Sequence, residues 1–179
     1  MKSKNRVYIA TSIDGYIADN KGKIDWLDTI PNTDSIDMGY NAFMENTDAL
    51  VMGKNTFKTV LGFGIEWPYE KPVFVVSTAP MDIPKDLNDK VFNVTGSVHE
   101  ILEHIHQQGF HNLYIDGGIT IQNFLKHDLI DEMIITIIPV LLGGGIPLFS
   151  AMDNRLNFKC THSKLFLGSI AQNHFVRKD

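Results

Sequence analysis

Short apolar runs and helix-like stretches take turns along the chain until about residue 130, and strand-like runs then follow one another directly. "RVYIATSI", "DALVMG", "KPVFVVST", "KVFNVT" and "HNLYIDGG" are apolar, β-branched or aromatic segments of strand length. "KNTFKTVL", "SVHEILEHIHQQG" and "ITIQNFLKHD" carry apolar residues at helical spacing. So does "TDSIDMGYNAFMEN", with Thr33 or Asp34 as N-cap and Ile36, Tyr40, Phe43 and Met44 along one side. "DEMIITIIPVLL" then predicts a long strand, and the tail predicts two strands around a turn near Gly168 and Ser169. Strands that alternate with helices build a mostly parallel sheet, and strands in succession close it with an antiparallel hairpin. No linker, repeat or low-complexity tract interrupts the pattern, so one domain over residues 1–179 is expected.

Composition excludes several roles. The net charge of -5 comes without a basic block, which argues against nucleic acid as the main partner. The N-terminal apolar run is broken by Ser12 and Asp14, so it makes a poor signal peptide, and no run approaches the roughly 20 residues of a membrane span. A lone cysteine, Cys160, rules out an intrachain disulfide and fits a reducing, cytoplasmic home. Cys160 lies in an alternating strand without catalytic context. His99, Glu103 and His106 share one side of a predicted helix, but they face away from its apolar stripe and lack further ligands, so no metal site is read there.

Three strand ends carry candidate chemistry. In "VMGKNTF", Gly53 ends a strand while Lys54, Asn55 and Thr56 open a helix, whose free N–H groups and dipole suit an anion. "YIDGGITIQNFL" repeats the design: Gly117 and Gly118 permit close backbone approach, and Ile119 and Thr120 begin the helix. The GxGxxG dinucleotide fingerprint is absent, so a phosphate cradle and a plain tight turn are both open. "VVST" places Ser77 and Thr78 after a strand, either against a ribose or phosphate or in a turn into "APMDIP". The second glycine cluster, Gly143-Gly144-Gly145, has no helix behind it. It reads as a structural corner between Pro139 and Pro147.

Together "ATSIDGYIA", "DALVMGKNTF", "VVST", "YIDGGITIQNFL" and "LIDEMIITIIPVLLGGGIPLF" resemble the dihydrofolate reductase-like superfamily, closest to its riboflavin-biosynthesis reductase-domain branch and stand-alone bacterial relatives. The resemblance implies an α/β three-layer fold, with a central mostly parallel sheet, helices on both faces and a C-terminal antiparallel hairpin. It also implies NADPH as cofactor. Ala10 and Ile17 would then border the nicotinamide, and Gly53, Lys54, Asn55 and Thr56 the adenosine-side phosphates. Ser77 and Thr78 would lie by the ribose and its 2′-phosphate, and Gly117, Gly118, Ile119 and Thr120 by the pyrophosphate. The family often has a cis peptide in a turn like Asp116-Gly117-Gly118. Lys54 beside a 2′-phosphate would favour NADPH over NADH, and no Rossmann-type acidic selector is recognisable.

On the substrate side, dihydrofolate reductases place one buried carboxylate early on the helix before the "VMG" strand. An ungapped count back from Gly53 puts Asp37 there, whereas alignment through Phe43 puts Gly39 there and leaves no acid. Thr136 matches a family threonine that bonds this carboxylate. Asp25 and Trp26 would line the mobile loop beside the substrate, and Tyr40, Phe43 and Met44 would wall a flat ring, or else are core. With arginine only at Arg6, Arg155 and Arg177, a substrate smaller than folate is favoured. The expected function is NADPH-dependent hydride transfer to a pterin- or ribosylaminopyrimidine-like heterocycle. A non-catalytic nucleotide-binding relative is the alternative. The long apolar strand "MIITIIPVLL" permits a homodimer.

Overall fold

The computed structural model describes residues 3–178. β1 (Lys4–Ser12) is flanked by β6 (Asn112–Asp116) and β7 (Glu132–Ile138), both parallel to it. Beyond β6 run β3 (Ala49–Gly53), β4 (Val73–Val76) and β5 (Val91–Val94), again parallel. Beyond β7, β10 (Ile170–Arg177) and β9 (Phe158–Phe166) are antiparallel, giving an eight-stranded sheet in the order β5-β4-β3-β6-β1-β7-β10-β9. A separate ribbon pairs β2 (Tyr16–Ala18) with β8 (Ile146–Pro147).

The strand period decides which helix covers which face. Val51, Phe74 and Ile115 point toward α3 (Val98–Gln107) and α4 (Gly118–Lys126), where they meet Ile105, Ile121 and Phe124. Their neighbours Leu50, Met52, Val75 and Tyr114 point the other way, toward Phe43 of α1 (Tyr40–Glu45) and Phe57 of α2 (Lys54–Leu61). β3 is buried on both faces, as a central parallel strand must be. Each of its large side chains adds roughly 1.5–3 kcal/mol by leaving water. A third cluster, Trp26 with Ile138, Phe166 and Ile170, fills the end beside the hairpin.

Four local expectations are corrected. The helix expected from Thr33 or Asp34 begins only at Tyr40, because Ser35, Met38 and Gly39 have φ of 50°, 54° and 92°, which break a right-handed helix. Asp37, rather than lying on a helix, accepts bonds from Gly39 N (3.0 Å) and Asn41 N (3.0 Å) at the start of α1. The long strand stops at Ile138, before Pro139, and it lies between β1 and β10, so it presents no free edge for a homodimer. No peptide among the described residues is cis, and the Asp116-Gly117-Gly118 turn is made with a positive φ of 87° at Gly117.

The second glycine cluster turns the chain without helical N–H groups. Asp14 binds it, accepting from Leu142 N (3.1 Å) and Gly143 N (2.7 Å). Gly145 crosses β2 at contact distance: a Cβ there would lie 2.0 Å from the Ala18 carbonyl oxygen.

Candidate functional site

β1, β3, β4 and β6 are parallel, so their carboxyl ends open on one side, the usual ligand side of such a sheet. A cavity of about 730 Å³ lies there, and Tyr8, Ala10, Leu27 and Tyr40 also line a second arm of about 350 Å³.

The larger arm brings together most of the residues singled out above. Lys54, Asn55 and Thr56 start α2, and Gly118, Ile119 and Thr120 start α4; all line the arm. Neither helix has a side-chain N-cap bond, so both N-termini keep N–H groups for another partner. The two turns interlock. A Cβ on Gly117 would sit 2.2 Å from Thr56 Oγ1, and a Cβ on Gly53 would sit 3.1 Å from Thr120 Oγ1. Each glycine leaves the space that the other turn's threonine occupies. A ligand between them would meet two helix dipoles and one lysine, a set suited to phosphates. Gly117→Ala should therefore lower the melting temperature by several degrees in a thermal melt, since it adds both the clash and a strained φ.

Ala10 and Ile17 also line this arm, as do Ser77 and Thr78. The Ser77 hydroxyl is engaged in the turn after β4, donating to the Ala79 carbonyl at 2.7 Å, so the chain uses it locally.

The expected substrate residues fall differently. Tyr40 lines both arms. Phe43 is buried behind the wall against Tyr8 and Tyr114, at ring distances of 5.2 and 5.1 Å. Trp26 faces the third core cluster and lines neither arm; its neighbours Leu27 and Asp28 do. Asp37 lines the smaller arm but is exposed, and the Gly39 and Asn41 N–H groups hold its carboxyl below the ordinary aspartate range. Thr136 Oγ1 is buried and accepts from Gln172 Nε2 (3.0 Å), while Asp37 takes its bonds from Gly39 N and Asn41 N. His99 meets His127 edge-on and His106 lies tilted against His111, so these helix histidines turn to different neighbours.

The carboxylate deepest in the cleft is Asp116, which motif reading passed over as turn chemistry before two glycines. Its position was legible in one respect. Tyr114 and Asp116 are two apart on β6 and share a face. Burial pushes Asp116 up to about 6, against the opposing effect of the Gly117 N–H, which donates to Oδ1 at 2.8 Å. As a residue it is only half-buried, because the cavity opens over it. Tyr40, Tyr69 and Tyr114 surround it. Burial, and then the Asp116 charge, push Tyr40 up to about 12, and the same two causes raise Tyr69 and Tyr114 further. All three remain neutral donors at physiological pH. Tyr114 Oη donates to the Tyr8 carbonyl (2.8 Å), and Tyr8 Oη donates to the Met38 carbonyl (3.1 Å).

This fold, with paired helix N-termini at the strand ends and an acid beside an aromatic arm, defines a dihydrofolate reductase-like protein. The chain belongs to the RibD C-terminal domain family, whose model matches residues 5–170. A structure from Shewanella sp. PV-4, described as a candidate riboflavin biosynthesis protein, is 52% identical, covers 98% of this chain and 99% of its own, and superposes with a TM-score of 0.95. The uncharacterised Bacillus subtilis protein YwjB is 36% identical over 99% of both chains. The deaminase/5-amino-6-(5-phosphoribosylamino)uracil reductase of Thermotoga maritima shares the fold at 18% identity and TM-score 0.72, and this chain spans 57% of it. A dihydrofolate reductase of Enterococcus faecalis, solved with NADP(H), shares it at 18% identity and TM-score 0.68, with 98% and 97% coverage. No helix among the described residues is long and apolar enough to cross a membrane.

Proposed function

We propose that the protein is an NADPH-dependent reductase that transfers a hydride to a flat pterin- or pyrimidine-like ring. The observation that carries this reading is the continuity of the two arms: a phosphate-suited cradle opens directly into an aromatic arm with Asp116 close by. The interlocked glycine turns and uncapped helix starts fit a dinucleotide pyrophosphate. The residues that would hold the cofactor are Gly53, Lys54, Asn55, Thr56, Gly117, Gly118, Ile119 and Thr120. Thr78 and Ser77 would lie toward the ribose, and Ala10 and Ile17 toward the nicotinamide.

NADPH, when bound, supplies the hydride. The chain's own residues orient the acceptor ring against Tyr8 and Tyr40, exclude bulk water from the junction, and hold a proton on Asp116. With its carboxyl up at about 6, Asp116 is partly protonated near neutrality and can donate to a ring nitrogen as the neighbouring carbon is reduced. Asp37 is exposed and has its carboxyl held down by the Gly39 and Asn41 N–H groups, so near neutrality it is ionised and carries no proton to give.

Thermal melts with NADPH, NADH and neither, followed by loss of reduced-nicotinamide absorbance on a pterin and pyrimidine panel, test this reading. NADPH should raise the melting temperature more than NADH, and Lys54→Ala should cut that preference about tenfold. No shift with either nucleotide at millimolar concentration would sink the proposal. If NADPH binds but no ring consumes it, the reading becomes that of a non-catalytic nucleotide-binding relative.

A cytoplasmic site and a homodimer belong to the same proposal. Cys160 is exposed on β9, a place where a reducing compartment suits it. β9 also leaves an open sheet edge that suits a second copy. Fractionation and light scattering check the two.

A further inference from the structure

The two arms differ in charge. Among the described residues lining either arm, Lys54 is the sole lysine or arginine, and it stands at the phosphate end. The smaller arm instead has Asp28 and Asp37 at its exposed mouth, and Asp116 lies on the larger arm, which shares Tyr40 with it. Among the described residues, no positive side chain contributes to the state of either Asp37 or Asp116; backbone N–H groups and burial account for both. Both acids act on the ring-facing wall, since Asp37 helps to raise Tyr8 and Asp116 helps to raise Tyr40. The remaining lining is largely apolar, with Ile30, Ile138 and Ile170 among it.

Such an arm can bury a ring and offer hydroxyls and carboxylates to its edge. It has nothing to neutralise an anionic substituent. A phosphate entering it would lose hydration and meet like charges. We infer that the smaller arm takes an uncharged or cationic flat heterocycle bearing no phosphate or carboxylate, and that it discriminates against phosphorylated ring compounds. This differs from the substrate class in the Thermotoga enzyme's description, a phosphoribosylamino compound. The selectivity comes from rejection as much as attraction. The inference rests on the reading of the smaller arm as the ring site.

The test is a matched pair, a ribityllumazine and its 5′-phosphate, titrated by fluorescence against the full chain with and without NADPH. The unphosphorylated compound should bind at least about tenfold more tightly. That ratio should narrow as salt rises, because the opposing carboxylates stand at an exposed mouth. Asp28→Lys should also narrow it. If this variant does not fold, the salt series on the natural chain decides. Equal or tighter binding of the 5′-phosphate overturns the inference, and so does binding of neither compound. The reductase reading fails separately, through absence of an NADPH-induced melting shift, because the ring preference is also measured without dinucleotide.

Discussion

Asp116→Asn is expected to lower the reductase rate about 100-fold while leaving NADPH affinity within about twofold. The variant keeps the shape of the side chain and removes both its acid proton and the charge it carries when ionised. The pH profile gives the more diagnostic result. A donor must be protonated, so in the natural protein the rate should fall as pH rises through about 6. In the variant that descent should vanish. The substitution should raise stability even as it lowers the rate. The folded carboxyl is raised above its unfolded value, so the folded state binds the proton more strongly. The cost of burying its charge is absent below about pH 4, grows between there and the folded value, and is full above it. At pH 7 the variant should therefore be more stable, on the order of 1–2 kcal/mol after allowing for the cavity's solvent. At pH 4 the difference should disappear. Urea titrations at both pH values and steady-state rates across the range measure the two effects. An unchanged rate would remove Asp116 from the chemistry, and unchanged stability would mean that its charge is better solvated than the geometry indicates.

Gly145→Ala should destabilise the fold by about 3 kcal/mol or more, and Gly143→Ala by only about 1 kcal/mol. Both positions have positive φ, 143° and 70°. What separates them is space. A Cβ at Gly143 meets nothing within 4 Å, whereas a Cβ at Gly145 would lie 2.0 Å from the Ala18 carbonyl oxygen and 3.1 Å from backbone carbons of Ala18 and Asp19. That obstacle is main chain and cannot rotate aside. Relief requires β8 to move off β2, with which it pairs at Ala18↔Ile146 and Tyr16↔Pro147. Ile17, Ala18 and Ile146 line the larger arm, so the displacement should also weaken dinucleotide binding. Denaturant midpoints for the two variants measure the contrast. Equal losses would mean that the corner is softer than its packing indicates.

Much of the architecture was legible because the strands are short, apolar and separated by helices with ordinary punctuation. α3 carries a complete capping box, Ser97 with Glu100, and begins where its sequence says it should. The hairpin turn at Gly168 was equally plain, and φ is positive there at 65°. The α1 region misled because Ile36, Tyr40, Phe43 and Met44 have helical spacing, although Ile36 is 38% exposed and lies ahead of the helix. Periodicity cannot show a break made by single residues in left-handed conformations.

At the site, the glycine turns were readable because backbone geometry demands particular residues. The smaller arm was not, because its members meet through tertiary register. Thr136 pairs with Gln172 across β7 and β10, and Gln172 also donates to Tyr8 Oη at 3.2 Å and to the Met38 carbonyl at 3.1 Å. Nothing local to residue 136 announces that partner. Trp26 and Phe43 look like ring-binding aromatics by type, yet they support the wall from behind.

The crossed packing of the two strand-to-helix turns also has a consequence for descent. Gly53 faces Thr120, and Gly117 faces Thr56, so neither turn's dimensions belong to it alone. A lineage that gains a side chain at either glycine must trim the hydroxyl residue opposite, or spread the two helix starts apart. Substitutions at these four positions should therefore arrive in pairs, one from each turn. The distance between the helix starts would then be inherited as a single trait, even where the rest of both helices diverges.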